Sequence, residues 1–153
     1  MKYLLAALTF LLSLSAFAIE YPVKNYNYIS DFDYRTEVSS SDKFNVLIFS
    51  SKECLERVVV SRECFQFERK LDYMIPKFST KLKFIGFNTY FENYTVSSEF
   101  QITKSPTVII LKNNQIIKRF EPVYRPYNPQ LPQGQIWYDS MFTDVVNTLN
   151  QIR

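Results

Sequence analysis

Apolar residues fall into short runs along the chain, and their spacing switches between two periods. "DKFNVLIFSS" (42–51) is a β-rich run of the kind that fills a central buried strand. In "CFQFERKLDYMIPKFS" (64–79), Phe67, Leu71, Met74, Ile75 and Phe78 recur at three- and four-residue spacing with charges between them, which predicts a helix. Pro76 should kink or shorten its last turn. "KLKFIGFNT" (81–89) predicts a second strand and "TVSSEFQI" (95–102) a short helix. "PTVIILK" (106–112) and "QIIKRFE" (115–121) predict two strands joined at Asn113-Asn114, where asparagine tolerates the positive φ of a tight hairpin. "YDSMFTDVVNTLNQIR" (138–153) reads as a closing amphipathic helix with Asp139 or Ser140 as N-cap. Weaker signals place a short strand and a helix within 20–41. The proline- and tyrosine-rich stretch 122–138 predicts a long loop, usually a functional or mobile feature. The order β, α, β, α, β, β, α implies an α/β fold: a central mixed sheet of about four to five strands with helices on both faces.

Length and composition narrow the chemistry. The chain has 153 residues, enough for one domain with a real core, and 46% of them are apolar. The formal charge is +3 with both signs interspersed, so no nucleic-acid footprint stands out. There are two glycines, Gly86 and Gly134, and no phosphate-cradling glycine loop. The chain has no histidine, which removes Ser–His and Cys–His catalysis in their usual forms and histidine-ligated zinc. Two cysteines alone do not close a four-coordinate zinc site, so neither metal nor cofactor is expected. Asp31, Asp33 and Asp72 show no pairing that suggests acid–base work and read as solvated face residues.

The start, "MKYLLAALTFLLSLSAFA", has a basic residue at Lys2, an apolar run from Leu4 to Leu14 and small residues at Ala16 and Ala18. This is the pattern of a secretory signal peptide over 1–18, leaving a domain over 19–153. The apolar run is shorter than the roughly 20 residues of a spanning helix, and no later segment is apolar enough to span a bilayer. The expected destinations are an endoplasmic reticulum lumen, the exterior or a bacterial periplasm, all of which permit disulfides.

The element order, taken with particular residues, resembles the thioredoxin family. "NVLIFSSKEC" looks like the family's central strand leading to its nucleophilic cysteine, with Phe49 five residues before Cys54. "CFQFERKLDYMIPKFSTKLKFIGFN" follows the family pattern from its second cysteine without a gap, and "SPTVIILKNNQIIKRF" resembles its cis-proline strand and hairpin. The likeness covers residues 40–122 well and the last helix loosely. It implies a thioredoxin-like fold, a thiol pair at Cys54 and Cys64, and a substrate-binding loop at Ser105, Pro106 and Thr107, with Ser105-Pro106 cis. The departures are equally specific. Nine residues separate the cysteines where the family has two. Ile48 stands where members commonly carry a buried acid, and Gly86 where they carry its lysine. Glu53 replaces the tryptophan before the first thiol.

The two thiols have a functional reading and a structural one. In the first, Cys54 attacks a substrate disulfide and Cys64 resolves the mixed disulfide, which makes the chain a thiol–disulfide oxidoreductase acting on protein or peptide. In the second, a stable Cys54–Cys64 disulfide staples an inserted loop in a non-catalytic binding module or assembly subunit. Either pairing requires "LERVVVSRE" to fold back, because one continuous helix would hold the two Cα atoms about 15 Å apart, against the roughly 4.4–6.8 Å a disulfide needs. Tyr124, Tyr127, Trp137 and Tyr138 form a candidate partner loop, since amphipathic aromatics often anchor interfaces. "NYT" at Asn93 is a glycosylation acceptor in a eukaryotic lumen.

Overall fold

The computed structural model describes residues 25–39, 42–51, 62–78, 80–89, 94–123 and 138–152. In chain order the elements are β1 (Asn27–Tyr28), α1 (Asp31–Ser39), β2 (Phe44–Ser50), α2 (Arg62–Met74), β3 (Leu82–Asn88), α3 (Tyr94–Glu99), β4 (Thr107–Lys112), β5 (Gln115–Phe120) and α4 (Tyr138–Ile152). Each predicted run became the predicted element within a few residues. Pro76 acts where expected: α2 ends at Met74 and Ile75–Lys77 continue as a single 3-10 turn.

The strands form one five-stranded sheet in the order β1-β3-β2-β4-β5. β1 and β2 both run parallel to β3, whereas β4 is antiparallel to β2 and to β5. Central β2 is buried on both faces, and the period-two alternation of the strand divides its side chains between two cores. Val46 and Ile48 join Val108 and Ile110 under α2 and α4, against Phe67, Leu71, Met141, Val145 and Leu149. Leu47 and Phe49 join Ile109 and Leu111 under α1 and α3, against Tyr34, Val38, Val96 and Phe100. Burying a side chain of this size stabilises by about 1.5–3 kcal/mol, so these two layers drive the fold. The second core is aromatic: Phe49 stacks on Phe87 at 4.9 Å between centroids, and Tyr34 meets Phe87 and Phe100 edge-on.

Turn and cap chemistry follow the residue types. Asn113 and Asn114 take φ of 50° and 61°, the left-handed pair that a two-residue hairpin needs. The hairpin carries a bulge: Ile110 pairs with Lys118 and Leu111 with Ile116, so β5 has one extra residue. That breaks the alternation and leaves both Ile116 and Ile117 about half exposed. All three aspartates read as plain surface residues have structural partners, and Asp33 Oδ2 accepts the Ser30 hydroxyl at 2.8 Å. Asp31 accepts the backbone N–H of Thr95 at 2.7 Å and of Val96 at 3.3 Å, capping α3 from α1. Asp72 accepts the backbone N–H of Asn25 at 2.5 Å and ties the approach to β1 onto α2.

Candidate functional site

The sheet changes direction at β2: the crossover to β3 leaves on one side, and antiparallel β4 lies on the other. In open α/β sheets the carboxyl end of such a strand is where ligands bind. The end of β2 meets the loop before β4 here. The Ser51 backbone N–H donates to Ser105 Oγ at 2.7 Å, and Phe49 is the register partner of Thr107. The Ser105–Pro106 peptide bond is cis. Ser105 is half-buried and Pro106 buried. The Thr107 side chain is fully buried, and its hydroxyl donates to the Lys104 carbonyl at 2.7 Å, so Thr107 shapes the loop from below.

The loop is also clamped from behind. Arg119 on β5 donates to the carbonyls of Phe100 and Gln101 at 2.7 and 2.9 Å, and its Nε donates to Glu121 at 2.6 Å. The guanidinium fork thus closes the C-terminal end of α3, where Gln101 takes a positive φ of 51°.

Cys64 lies in the first turn of α2 and is 2% exposed. It shares the helix's buried stripe with Phe67, Glu68 and Leu71. Glu68 is an acid at a core position, 4% exposed. Its Oε2 accepts from the Tyr28 hydroxyl at 3.2 Å and from the Tyr26 hydroxyl at 3.4 Å, and the two hydroxyls lie 3.3 Å apart. Burial, reinforced by the Glu68 charge, pushes both phenols well above their ordinary value, so they stay protonated as donors. Gly86 makes room for them: a Cβ there would lie 2.7 Å from Tyr26 Cε2 and 3.0 Å from Tyr28 Cδ1.

Cys54, Asn93, Tyr124, Tyr127 and Trp137, together with residues 1–18, lie outside the described residues. Tyr138 is the first residue of α4, and its side chain is likewise outside the description. Sequence reasoning did not single out Tyr26, Tyr28 or Glu68. One signal was available, since positions 64, 67, 68, 71 and 75 form one helical stripe and Glu68 is its only acid.

No protein-family model matches the chain, and no curated protein matches it. Solved structures do. A thioredoxin of Fasciola hepatica superposes with a TM-score of 0.60 at 12% identity, covering 83% of this chain and 99% of that one. The fold is thioredoxin-like. Thioredoxin f2 of Chlamydomonas reinhardtii gives a TM-score of 0.57 at 12% identity over 83% of this chain and 95% of its own. The germline-specific thioredoxin Deadhead of Drosophila melanogaster gives 0.57 at 16% identity over 81% and 95%. At such identities the likeness carries the fold and no activity. Within this thioredoxin-like fold, Ile48 and Gly86, two of the departures noted in the sequence, are register partners on neighbouring strands. The Tyr26–Tyr28–Glu68 cluster packs beside them, so the core below α2 has a buried acid, supplied by the helix.

Proposed function

We propose that the chain is an exported protein that performs thiol–disulfide exchange through Cys54 and Cys64, on a protein or peptide substrate. The observation that carries the reading is Cys64. It occupies the first turn of α2, where the helix dipole favours a thiolate. Cys54 is the only other cysteine in the chain. In this reading Cys54 is the attacking thiol and Cys64 the resolving one. Ser105 and Pro106, joined to the end of β2, present backbone to the substrate. The leader-like first 18 residues route the chain to a lumen, a periplasm or the exterior, where substrate disulfides exist. Among the described residues, no helix is long and apolar enough to cross a membrane.

Trapping tests the reading. With a peptide disulfide as substrate, Cys64→Ser should accumulate a covalent mixed disulfide through Cys54, and Cys54→Ser should form none. Absence of the adduct in Cys64→Ser would refute the assignment.

A second reading, a binding module with a structural Cys54–Cys64 disulfide, is favoured by the exposed apolar side chains of Ile116, Ile117 and Val123 at and beyond edge strand β5. Partner capture that survives loss of both cysteines and fails in Tyr127→Ala and Trp137→Ala would support this second reading.

A further inference from the structure

We propose that the open edge of β5 is the surface on which a second copy of this chain docks. The two copies pair strand to strand about a twofold axis at Arg119, and Lys118 of each meets Asp144 of the other. The site lies at the sheet edge away from β2, and it holds whichever reading of the thiols is right.

β5 ends the sheet: β4 lies on one side, and among the described residues no strand lies on the other. The free N–H and C=O groups of such an edge are a template for a further strand. Beside that edge, β5 and α4 enclose an open groove of about 470 Å³. Buried Phe120 and Met141 line it, together with exposed Lys118 and Asp144. The β5 bulge decides which side chains reach it. Val108 and Ile110 face α2 and α4, and their register partners are Phe120 and Lys118, so both turn to the α4 side. Without the extra residue Ile110 would pair with Ile117, and Lys118 would turn to the opposite face. Arg119 pairs with Ile109 and lies on that opposite face. Its guanidinium is held there by the Phe100 and Gln101 carbonyls and by Glu121.

The occupant follows from charge and register. Among the described residues neither Lys118 nor Asp144 has an ion-pair partner, although they line one groove. A surface with both signs left unpaired is complementary to itself under a twofold axis, and isologous dimers form on such patches. Antiparallel pairing centred on Arg119 sets Lys118 opposite the other copy's Phe120. Met141 packs in the same core cluster as Phe120, and Asp144 follows it by one turn of α4. The register centred on Lys118 would instead oppose the two lysines directly and is disfavoured. A slip of one residue would mismatch the faces. The Arg119-centred register also runs Ile116 and Ile117 of each copy alongside residues 121–123 of the other. Ile116, Ile117 and Val123 are 52%, 50% and 63% exposed, and this pairing covers all three. The two Arg119 side chains oppose each other across the axis, but each is neutralised by its own Glu121 at 2.6 Å.

Sedimentation equilibrium of the purified chain, from micromolar to near-millimolar concentration, tests the proposal. Non-reducing electrophoresis sets aside disulfide-linked pairs. The proposal expects a reversible monomer–dimer equilibrium, with slower hydrogen exchange at 118–120 in the dimer. Lys118→Glu sets two acids together twice per dimer and should weaken association by about tenfold. Asp144→Lys should do the same, and the two changes in one chain should restore most of the loss, because the reversed charges match again. Val123→Asp keeps the ion pair intact and should weaken association through the apolar contact. Circular dichroism checks that each variant folds, and all three positions are exposed. A chain that stays monomeric throughout would overturn the proposal and leave the edge to a strand of a different protein. A dimer indifferent to both Lys118→Glu and Val123→Asp would overturn it as well, since the copies would then meet through another face.

Discussion

Gly86→Ala tests the packing on which the buried cluster depends. The added Cβ would sit 2.7 Å from Tyr26 Cε2 and 3.0 Å from both Tyr26 Cδ2 and Tyr28 Cδ1. Carbon atoms pack best at about 3.5–4.0 Å, so the rings must retreat by roughly 0.5–1 Å. They have little room to do so. Tyr26 is 5% exposed, and both hydroxyls are bonded to Glu68. Overpacking of this kind costs about 1–3 kcal/mol. The φ of Gly86 lies outside the left-handed range, so alanine fits the backbone, and loss of unfolded-state entropy returns about 0.4–1 kcal/mol. The net expectation is a loss of about 1–2 kcal/mol, read as a lower urea midpoint at unchanged slope. A double-mutant cycle isolates the cause. In a Tyr26→Val background the ring atom that meets the new methyl is gone, and the Gly86→Ala penalty should fall by at least about 1 kcal/mol. A neutral or stabilising Gly86→Ala, or an equal penalty in both backgrounds, would refute the reasoning.

Other expectations follow from single contacts. Asp31→Ala removes the cap on the Thr95 and Val96 amides and should cost about 1 kcal/mol by denaturant titration, with faster hydrogen exchange at those two positions. Arg119→Ala removes two charge-assisted bonds to the Phe100 and Gln101 carbonyls. It should cost about 1–2 kcal/mol and speed exchange in the segment leading to Ser105, whereas unchanged exchange there would show that the clamp does not hold the loop. At alkaline pH, Tyr26, Tyr28 and Tyr34 all titrate above the ordinary phenol value of 10.0, chiefly through burial, with Tyr34 pushed up to about 12. The unfolded chain sheds these protons first, so the stability they carry is complete below about pH 10 and declines as pH rises beyond it. The urea midpoint should fall over that range, with a shallower fall in Tyr34→Phe, and a flat midpoint would contradict the assignment.

The elements that could be read from the sequence are those with an unbroken apolar run or one helical period over a full span. β2, β4, α2 and α4 each present such a pattern, and Asn113-Asn114 announces its turn through the backbone conformation asparagine tolerates. β1 is two residues long, too short to alternate, and becomes a strand only because β3 lies beside it. The bulge in β5 is equally invisible, since Ile116-Ile117 reads as an ordinary apolar pair. Within the site, the local pattern at Cys64 and at Ser105-Pro106 was legible, and the acid cluster was not. Glu68 reads as one more charge on an amphipathic helix. Its burial depends on tyrosines some 40 residues earlier in the chain and on the side chain that Gly86 lacks. Those partners come together only through the β1–β3 pairing. Gly86 in the sequence marked a departure from the family, whereas in the structure it is the space that the two rings fill.

The reduction potential of the Cys54–Cys64 pair tests the central claim most directly. Thiol labelling of the purified chain in graded dithiothreitol and glutathione buffers would give it. A protein that exchanges disulfides through this pair should titrate between roughly −270 and −120 mV. A potential below about −300 mV would make the pair a structural staple and contradict the exchange account.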